Sequence, residues 1–182
     1  NLMRALGKLN VERFIYSGTM LVHEPGEPGE RIDEDAPIKP KWAYPQSKAK
    51  TEEIIRAERG SIPVTLLHLA GLYDDESAVP TLAHQIARIY ERDLKSRLYP
   101  GEGEAGQSMI HREDMIEVFR RAIEKRSDLP EECVILAGEP EAVAYQELQD
   151  DIGRLVHGAE EWETLSVPGP VAKAGAWAQE KA

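Results

Sequence analysis

The chain has 182 residues, of which 41% are hydrophobic and 30% charged, enough for an ordinary domain core and too apolar for a disordered or fibrous chain. Lys and Arg total 22 against 33 Asp and Glu, a formal net charge of -11, which argues against an extended phosphate-neutralising surface and so against nucleic acid as a partner. No apolar stretch approaches the roughly 20 residues of a membrane span and no signal-peptide pattern is present, so no membrane is expected and the cytoplasm is the default compartment.

Leu2, Met3, Leu6 and Leu9 recur at helical spacing, so the sequence opens inside an element. Val171, Ala172, Ala174, Ala176, Trp177 and Ala178 read as a closing helix without a Gly or Asn cap, and together these ends predict a piece of a longer polypeptide. Val11 to Tyr16 is a β-prone run closed by Ser17-Gly18, a strand end of the kind that functional loops follow. Glu24 to Lys41 is rich in Pro, Gly and acids and reads as a long, solvated surface loop. A helix is predicted from about Ala43 to Arg59, with Pro45 in its first turn, Glu52 four residues before Arg56, and Gly60 as its C-terminal cap. Pro63 to Leu69 is nearly continuous apolar sequence, the pattern of a strand buried on both faces of a parallel sheet. Strand, helix, strand is an α/β signature.

Val79, Leu82, Ala83, Ile86 and Tyr90 form one helical stripe, and Met115, Ile116, Phe119, Ala122 and Ile123 another; both are expected to be core faces. Cys133 to Ala137 reads as a strand, with the single cysteine, Cys133, as inert packing. Tyr145, Leu148, Ile152, Leu155 and Val156 form a last helix ended by Gly158. His23, His68, His84, His111 and His157 are dispersed, with no carboxylate or thiol at metal-ligand spacing, so no metal site is expected. His111 is expected to satisfy a local backbone group, and Trp42 to pack.

Gly101-Glu102-Gly103-Glu104-Ala105-Gly106 matches the glycine pattern of a dinucleotide fingerprint, but that fingerprint needs a strand before it and a helix N-terminus after it. Here Gln107-Ser108-Met109-Ile110-His111 continues as extended sequence, and Glu102 and Glu104 would repel a pyrophosphate. A glycine-rich turn between two short strands is the better reading.

Tyr44-Pro45-Gln46-Ser47-Lys48 places a phenol and an ammonium one helical turn apart on one face. Chance supplies about 0.3 such pairs in a chain of this composition, and the ordinary reading is a Tyr packed on the sheet beside an exposed Lys. The surrounding segment gives the pair weight: a strand ending Phe14-Ile15-Tyr16-Ser17-Gly18-Thr19, an acidic loop, then Asp33-Glu34-Asp35-Ala36-Pro37-Ile38-Lys39-Pro40 leading into Tyr44 and Lys48.

That arrangement resembles the extended short-chain dehydrogenase/reductase family, in its NAD-dependent epimerase/dehydratase branch, which includes UDP-glucose 4-epimerase. The likeness continues through Leu66-Leu67-His68-Leu69-Ala70-Gly71-Leu72-Tyr73 and Met109-Ile110-His111-Arg112-Glu113-Asp114, and so covers most of residues 11 to 157. It implies an α/β fold, the second half of a doubly wound Rossmann-like parallel sheet plus part of a smaller substrate-binding region. Residues 1–74 would be the C-terminal half of the dinucleotide-binding domain with the catalytic helix. Residues 75–182 would be mostly substrate-binding, with elements returning to the main domain.

The resemblance makes Tyr44 the catalytic acid/base, Lys48 its partner and Thr19 the hydroxyl that positions the reacting group. It places Ser17, Tyr44, Lys48 and Leu69 at the cofactor, NAD or NADP, and Thr19, Gly71 and Gln107 at the substrate, with a nucleotide sugar as the first expectation. A phenol, with a reference pKa of about 10, is mostly protonated at neutral pH, and a cation held close stabilises the phenolate. Lys48 can supply that charge, and its three donors can also serve a ribose. Hydride transfer would then oxidise a substrate carbinol as Tyr44 takes its proton, followed by re-reduction, dehydration or release. A homodimer through the catalytic helix is implied as well. The alternatives are a reductase of a small carbonyl substrate and a non-catalytic dinucleotide-binding or sensing module, whose relatives typically lack the Tyr/Lys pair.

The sequence departs from the family at four places. His68 stands where Arg is usual, Asp74-Asp75 replaces the Gly-Pro that commonly follows Tyr73, and Gln107 stands where many nucleotide-sugar epimerases have a basic residue. The family's first strand and Gly-rich loop are not among the 182 residues, which by themselves are expected to be inactive and to bind NAD weakly.

Overall fold

Val64–Leu69 becomes the middle strand of a three-stranded parallel sheet in the computed structural model, which describes residues 2–26, 30–100 and 105–167. In chain order the elements are α1 (Leu2–Leu6), β1 (Phe14–Thr19), α2 (Ala43–Glu58), β2 (Val64–Leu69), β3 (Gly71–Tyr73), α3 (Pro80–Tyr90), β4 (Leu98–Pro100), β5 (Gly106–Gln107), β6 (Met109–His111), α4 (Arg112–Glu124), β7 (Glu132–Ala137), β8 (Val143–Ala144), α5 (Tyr145–His157) and β9 (Leu165–Val167). The chain divides into two compact units: one comprises residues up to Asp74 together with Met109–Pro140, the other Asp75–Ser108 with the residues from Glu141 onward.

In the first unit the sheet order is β1-β2-β7. Val64, Thr65, Leu66, Leu67 and His68 are all buried, as a strand flanked on both sides and covered on both faces must be. Met3, Ile55, Ile62, Val64 and Leu66 form the core, with Leu6, Val11, Phe14, Tyr16 and Val134 packed against it. β1 begins at Phe14 rather than Val11 and ends at Thr19, where the sequence pattern places the strand end. It continues to Thr19 because Ser17, Gly18 and Thr19 stay in register with Leu67, His68 and Leu69. A 3-10 turn, Met20–Val22, follows.

One side chain ties three segments of this unit together. Arg13 donates from Nε to Arg126 O at 2.8 Å, from Nη2 to Leu129 O at 2.8 Å and Pro130 O at 2.9 Å, and from Nη1 to Val64 O and Thr65 Oγ1, both at 3.1 Å. It thereby closes the carbonyls of the turn before β7, which the sheet ladder leaves unpaired. β3 and β6 form a separate parallel pair, whose Tyr73 Oη donates to Glu139 Oε1 at 2.6 Å. Cys133 is half-buried, with Thr65 Oγ1 3.9 Å from its Sγ.

In the second unit α3 packs on α5 around Ile89, Ile152 and Trp162, with Leu82, Leu148 and Ala159 against them. Gly153 leaves room for the Trp162 ring, since a Cβ there would lie 2.9 Å from Trp162 Cε3. Gly158 ends α5 at φ 67°, as predicted for a left-handed cap. β4 pairs in parallel with β9, and β5 pairs antiparallel with β8. The expected glycine turn therefore has short strands on either side of it, each pairing elsewhere, while Gly101 to Glu104 lie outside the described residues. So does the predicted helix from Val171 to Ala178.

Both helical stripes are found on helices, but neither is wholly buried. On α3, Ile86 and Tyr90 are exposed and Ile89 carries the core contact; on α4, Ile116 and Ile123 are exposed while Ala122 is buried. Among the described residues no helix is long and apolar enough to cross a membrane.

Candidate active site

The geometry starts from α2. Pro45 lies in its first turn, where a missing N–H costs nothing, and Ser47 Oγ donates to Tyr44 O at 2.7 Å. Tyr44, Lys48 and Glu52 then fall at successive turns along one face. Lys48 Nζ donates to Ser17 O at 3.2 Å and stands 5.9 Å from the Tyr44 ring centroid and 5.3 Å from that of Tyr16. The ammonium thus sits between the carbonyl of a strand end and two phenol rings, a position favourable to a cation. One of its three donors is committed to Ser17, which leaves two for a ligand. Tyr44 is 51% exposed, so its hydroxyl is within reach of a substrate. Trp42, expected to pack, is half exposed at the N-cap of the helix.

Thr19 is buried, and its Oγ1 accepts from Leu21 N at 3.4 Å as the cap of the 3-10 turn, which leaves its O–H as the function it can offer. Leu69 is its register partner on β2. Gly71 opens β3 opposite Met109. Ser17, Tyr44, Lys48, Thr19 and Leu69 thus gather at the C-terminal ends of two adjacent parallel strands, where open α/β sheets bind their ligands. Gln107 belongs to the second unit. There its side chain meets Thr81 Oγ1 at 3.4 Å and lines a polar cavity of about 130 Å³ with Arg88, Gln85 and Tyr145.

Residue spacing gave no sign of two arrangements. His23 and His68, read as dispersed, are in contact, and Glu52 joins them. Arg88 lines the cavity of Gln107, in which a basic group was missing from the sequence pattern. His111 does serve local backbone, its Nδ1 accepting from Glu113 N at 3.3 Å. Among the described residues no group of three or more His, Cys, Asp or Glu is arranged to hold a metal ion. The acidic loop is tied down in part, with Lys39 Nζ donating to Glu24 Oε2 at 2.6 Å and Leu136 N donating to Glu34 Oε1 at 3.2 Å.

A parallel sheet with a Tyr/Lys helix starting at its carboxyl end defines an open α/β fold. The profile of the NAD dependent epimerase/dehydratase family matches residues 1–138, and the chain belongs to that family. Comparison with curated protein sequences gives no match. Among solved structures the fold is similar to dTDP-glucose 4,6-dehydratase from Bacillus anthracis str. Ames in complex with NAD, at TM-score 0.70 and 18% identity over 92% of this chain and 53% of that one. It is also similar to UDP-glucose 4-epimerase from Thermus thermophilus in complex with NAD, at TM-score 0.65 and 23% identity over 92% and 55%. UDP-glucuronic acid 4-epimerase from Bacillus cereus, in complex with UDP-glucuronic acid and NAD, matches at TM-score 0.69 and 21% identity over 92% and 53%. The chain thus spans about half the length of the solved structures it resembles, and shares their Rossmann-like α/β fold with a parallel sheet.

Proposed function

We propose that this chain carries the acid/base half of an NAD(P)-dependent epimerase/dehydratase acting on a hydroxyl or keto carbon, with a nucleotide sugar as substrate. The observation that carries the reading is the place of the Lys48 ammonium, hydrogen-bonded to Ser17 O and beside the ring of an exposed Tyr44. The residues fit a nicotinamide dinucleotide: Lys48 keeps two donors for ribose hydroxyls, and Ser17 is exposed at the strand end beside it. NAD, when bound, supplies reversible acceptance of a hydride.

The chain's own part is proton handling and orientation. The phenolate form of Tyr44, stabilised by the Lys48 ammonium, takes the proton of the substrate hydroxyl at Oη, and the phenol so formed returns it. The Thr19 O–H donates to the same substrate oxygen. Gln107, in the second unit, keeps its assignment as a substrate-binding residue in this reading. Self-association through α2, on which Ile54 is exposed and which Trp42, also exposed, precedes, belongs to the same reading, and light scattering measures it. We assign the activity to the cytoplasm.

The test is Tyr44→Phe in the intact protein, assayed with NAD and with UDP-glucose and UDP-glucuronic acid. The expected result is a loss of turnover of about 10²-fold or more with NAD affinity retained, since general acid/base groups contribute about 10²–10⁴. Unchanged turnover would overturn the catalytic assignment, and NAD binding without turnover in either protein would favour the sensing module.

A further inference from the structure

Lys48 carries its charge at the end of a flexible four-carbon stem, so whatever holds the ammonium decides where that charge acts. A carboxylate is the usual partner of a lysine taken out of water, and Lys48 is half-buried. No carboxylate serves here. Among the described residues its ammonium makes one hydrogen bond, to Ser17 O at 3.2 Å, and no ion pair. Glu52, the next acid along the same helix face, faces Arg56 instead, whose Nη1 stands 3.6 Å from Glu52 Oε2.

The second restraint is an aromatic face. Lys48 Nζ lies over the Tyr16 ring, 5.3 Å from its centroid against 5.9 Å for Tyr44, within the roughly 6 Å over which a ring quadrupole attracts a cation. The two rings are held differently. Tyr44 is 51% exposed in the first turn of α2. Tyr16 is half-buried in the middle of β1, in register with Leu66 of β2, and packs against the core formed by Met3, Ile55, Ile62, Val64 and Leu66. Tyr16 is the fixed ring of the pair, and its chain neighbour Ser17 supplies the carbonyl. Two consecutive residues of one strand thus hold the ammonium.

A ring and a carbonyl do something a carboxylate cannot. A carboxylate would restrain the ammonium but oppose its field at a nearby phenolate, whereas neutral partners restrain it and leave its whole charge to act there. The ring attracts the charge as a whole, so the two N–H donors that Ser17 does not take stay available to a ligand.

We propose that Tyr16 is a positioning residue whose ring holds the Lys48 ammonium and, through it, acts on the Tyr44 phenol and on the cofactor ribose. What Lys48 does there rests on the proposed function; that Tyr16 holds it does not. The ring face is the working part, so phenylalanine replaces Tyr16 and an aliphatic side chain does not.

The experiment compares wild type, Tyr16→Phe and Tyr16→Leu in the intact protein, with kcat measured on UDP-glucose and UDP-glucuronic acid and NAD affinity measured by calorimetry. In Tyr16→Leu, kcat is expected to fall and NAD binding to weaken, each by about 3- to 30-fold, the range that a ring–cation contact corresponds to. Tyr16→Phe is expected to match wild type in both. A variant that merely loses folded molecules shows a lower kcat with unchanged NAD affinity. That result overturns the positioning role, as does an unchanged kcat in Tyr16→Leu or a Tyr16→Phe as impaired as Tyr16→Leu. Normal turnover by Tyr44→Phe sinks the catalytic reading instead, and the contact is then judged by a measurement that needs no activity. In wild type carrying carbon-labelled lysine, a through-space NMR contact between the Lys48 ε-methylene and the Tyr16 ring protons is expected. Its absence overturns the proposal, including where Tyr16→Leu does not fold.

Discussion

Tyr73 shows how one hydrogen bond sets a pH dependence. Its hydroxyl donates to Glu139, and that bond, with burial and the carboxylate charge behind it, pushes the phenol up to about 12. A phenol raised above its unfolded value near 10 contributes stability that is complete below pH 10 and lost as pH rises toward 12. Tyr73→Phe should cost about 1 kcal/mol at pH 8 once solvent screening is allowed for, and the difference should shrink above pH 10, as urea unfolding at several pH values would show. At this scale legibility divides by distance along the chain. Tyr44 and Lys48 are four residues apart, so helical periodicity alone puts them on one face. His23, His68 and Glu52 lie on three segments, and their contact depends on the pairing of β1 with β2 in a register that places Gly18 beside His68, which no local pattern encodes.

Among the elements, helices and strands follow the periodicity closely, whereas the buried face does not. α3 has the predicted apolar stripe, yet Ile89 is fully buried while Ile86 and Tyr90 are exposed. A stripe records which side of a helix is apolar; what covers it is decided by its partner, here α5 with Trp162. Trp162 is held closely: Arg97 lies over its ring at 4.6 Å and its Nε1 donates to Ser96 Oγ at 3.2 Å. Gly153→Ala sets a methyl 2.9 Å from that ring, and the indole cannot move without losing both partners. The expected cost is about 1–3 kcal/mol, as for overpacking in a close-packed core, with a reduced near-ultraviolet circular dichroism signal from the tryptophan.

For the whole molecule the decisive fact is the path of the chain. The first unit takes residues up to Asp74 and then Met109–Pro140, with the second unit's first segment between them. β7 pairs with β2 along its whole length, from Val64 opposite Glu132 to Leu69 opposite Ala137. A chain cut after Asp74 would expose one side of β2, a strand whose residues Val64 to His68 are otherwise buried. Such a truncation is expected to show no cooperative thermal transition by circular dichroism, whereas the 182-residue chain should show one; a cooperative transition in the short form would contradict it. The strand–helix–strand order was legible from apolar runs and turn residues, but the return of β7 to β2 was not, because parallel pairing across an intervening unit leaves no local mark.

Arg13 binds the carbonyls of Arg126, Leu129 and Pro130, partners 113 to 117 positions further along the chain. Contacts of that sequence separation close only after the intervening loop entropy has been overcome, so they form late and lengthen the time to the native state. A late contact governs escape more than arrival: its strength is felt in how slowly the folded chain opens rather than in how fast it assembles. The guanidinium at the start of β1 is thus a latch on the lifetime of the sheet, and so on the time for which Ser17, Tyr44 and Lys48 remain together.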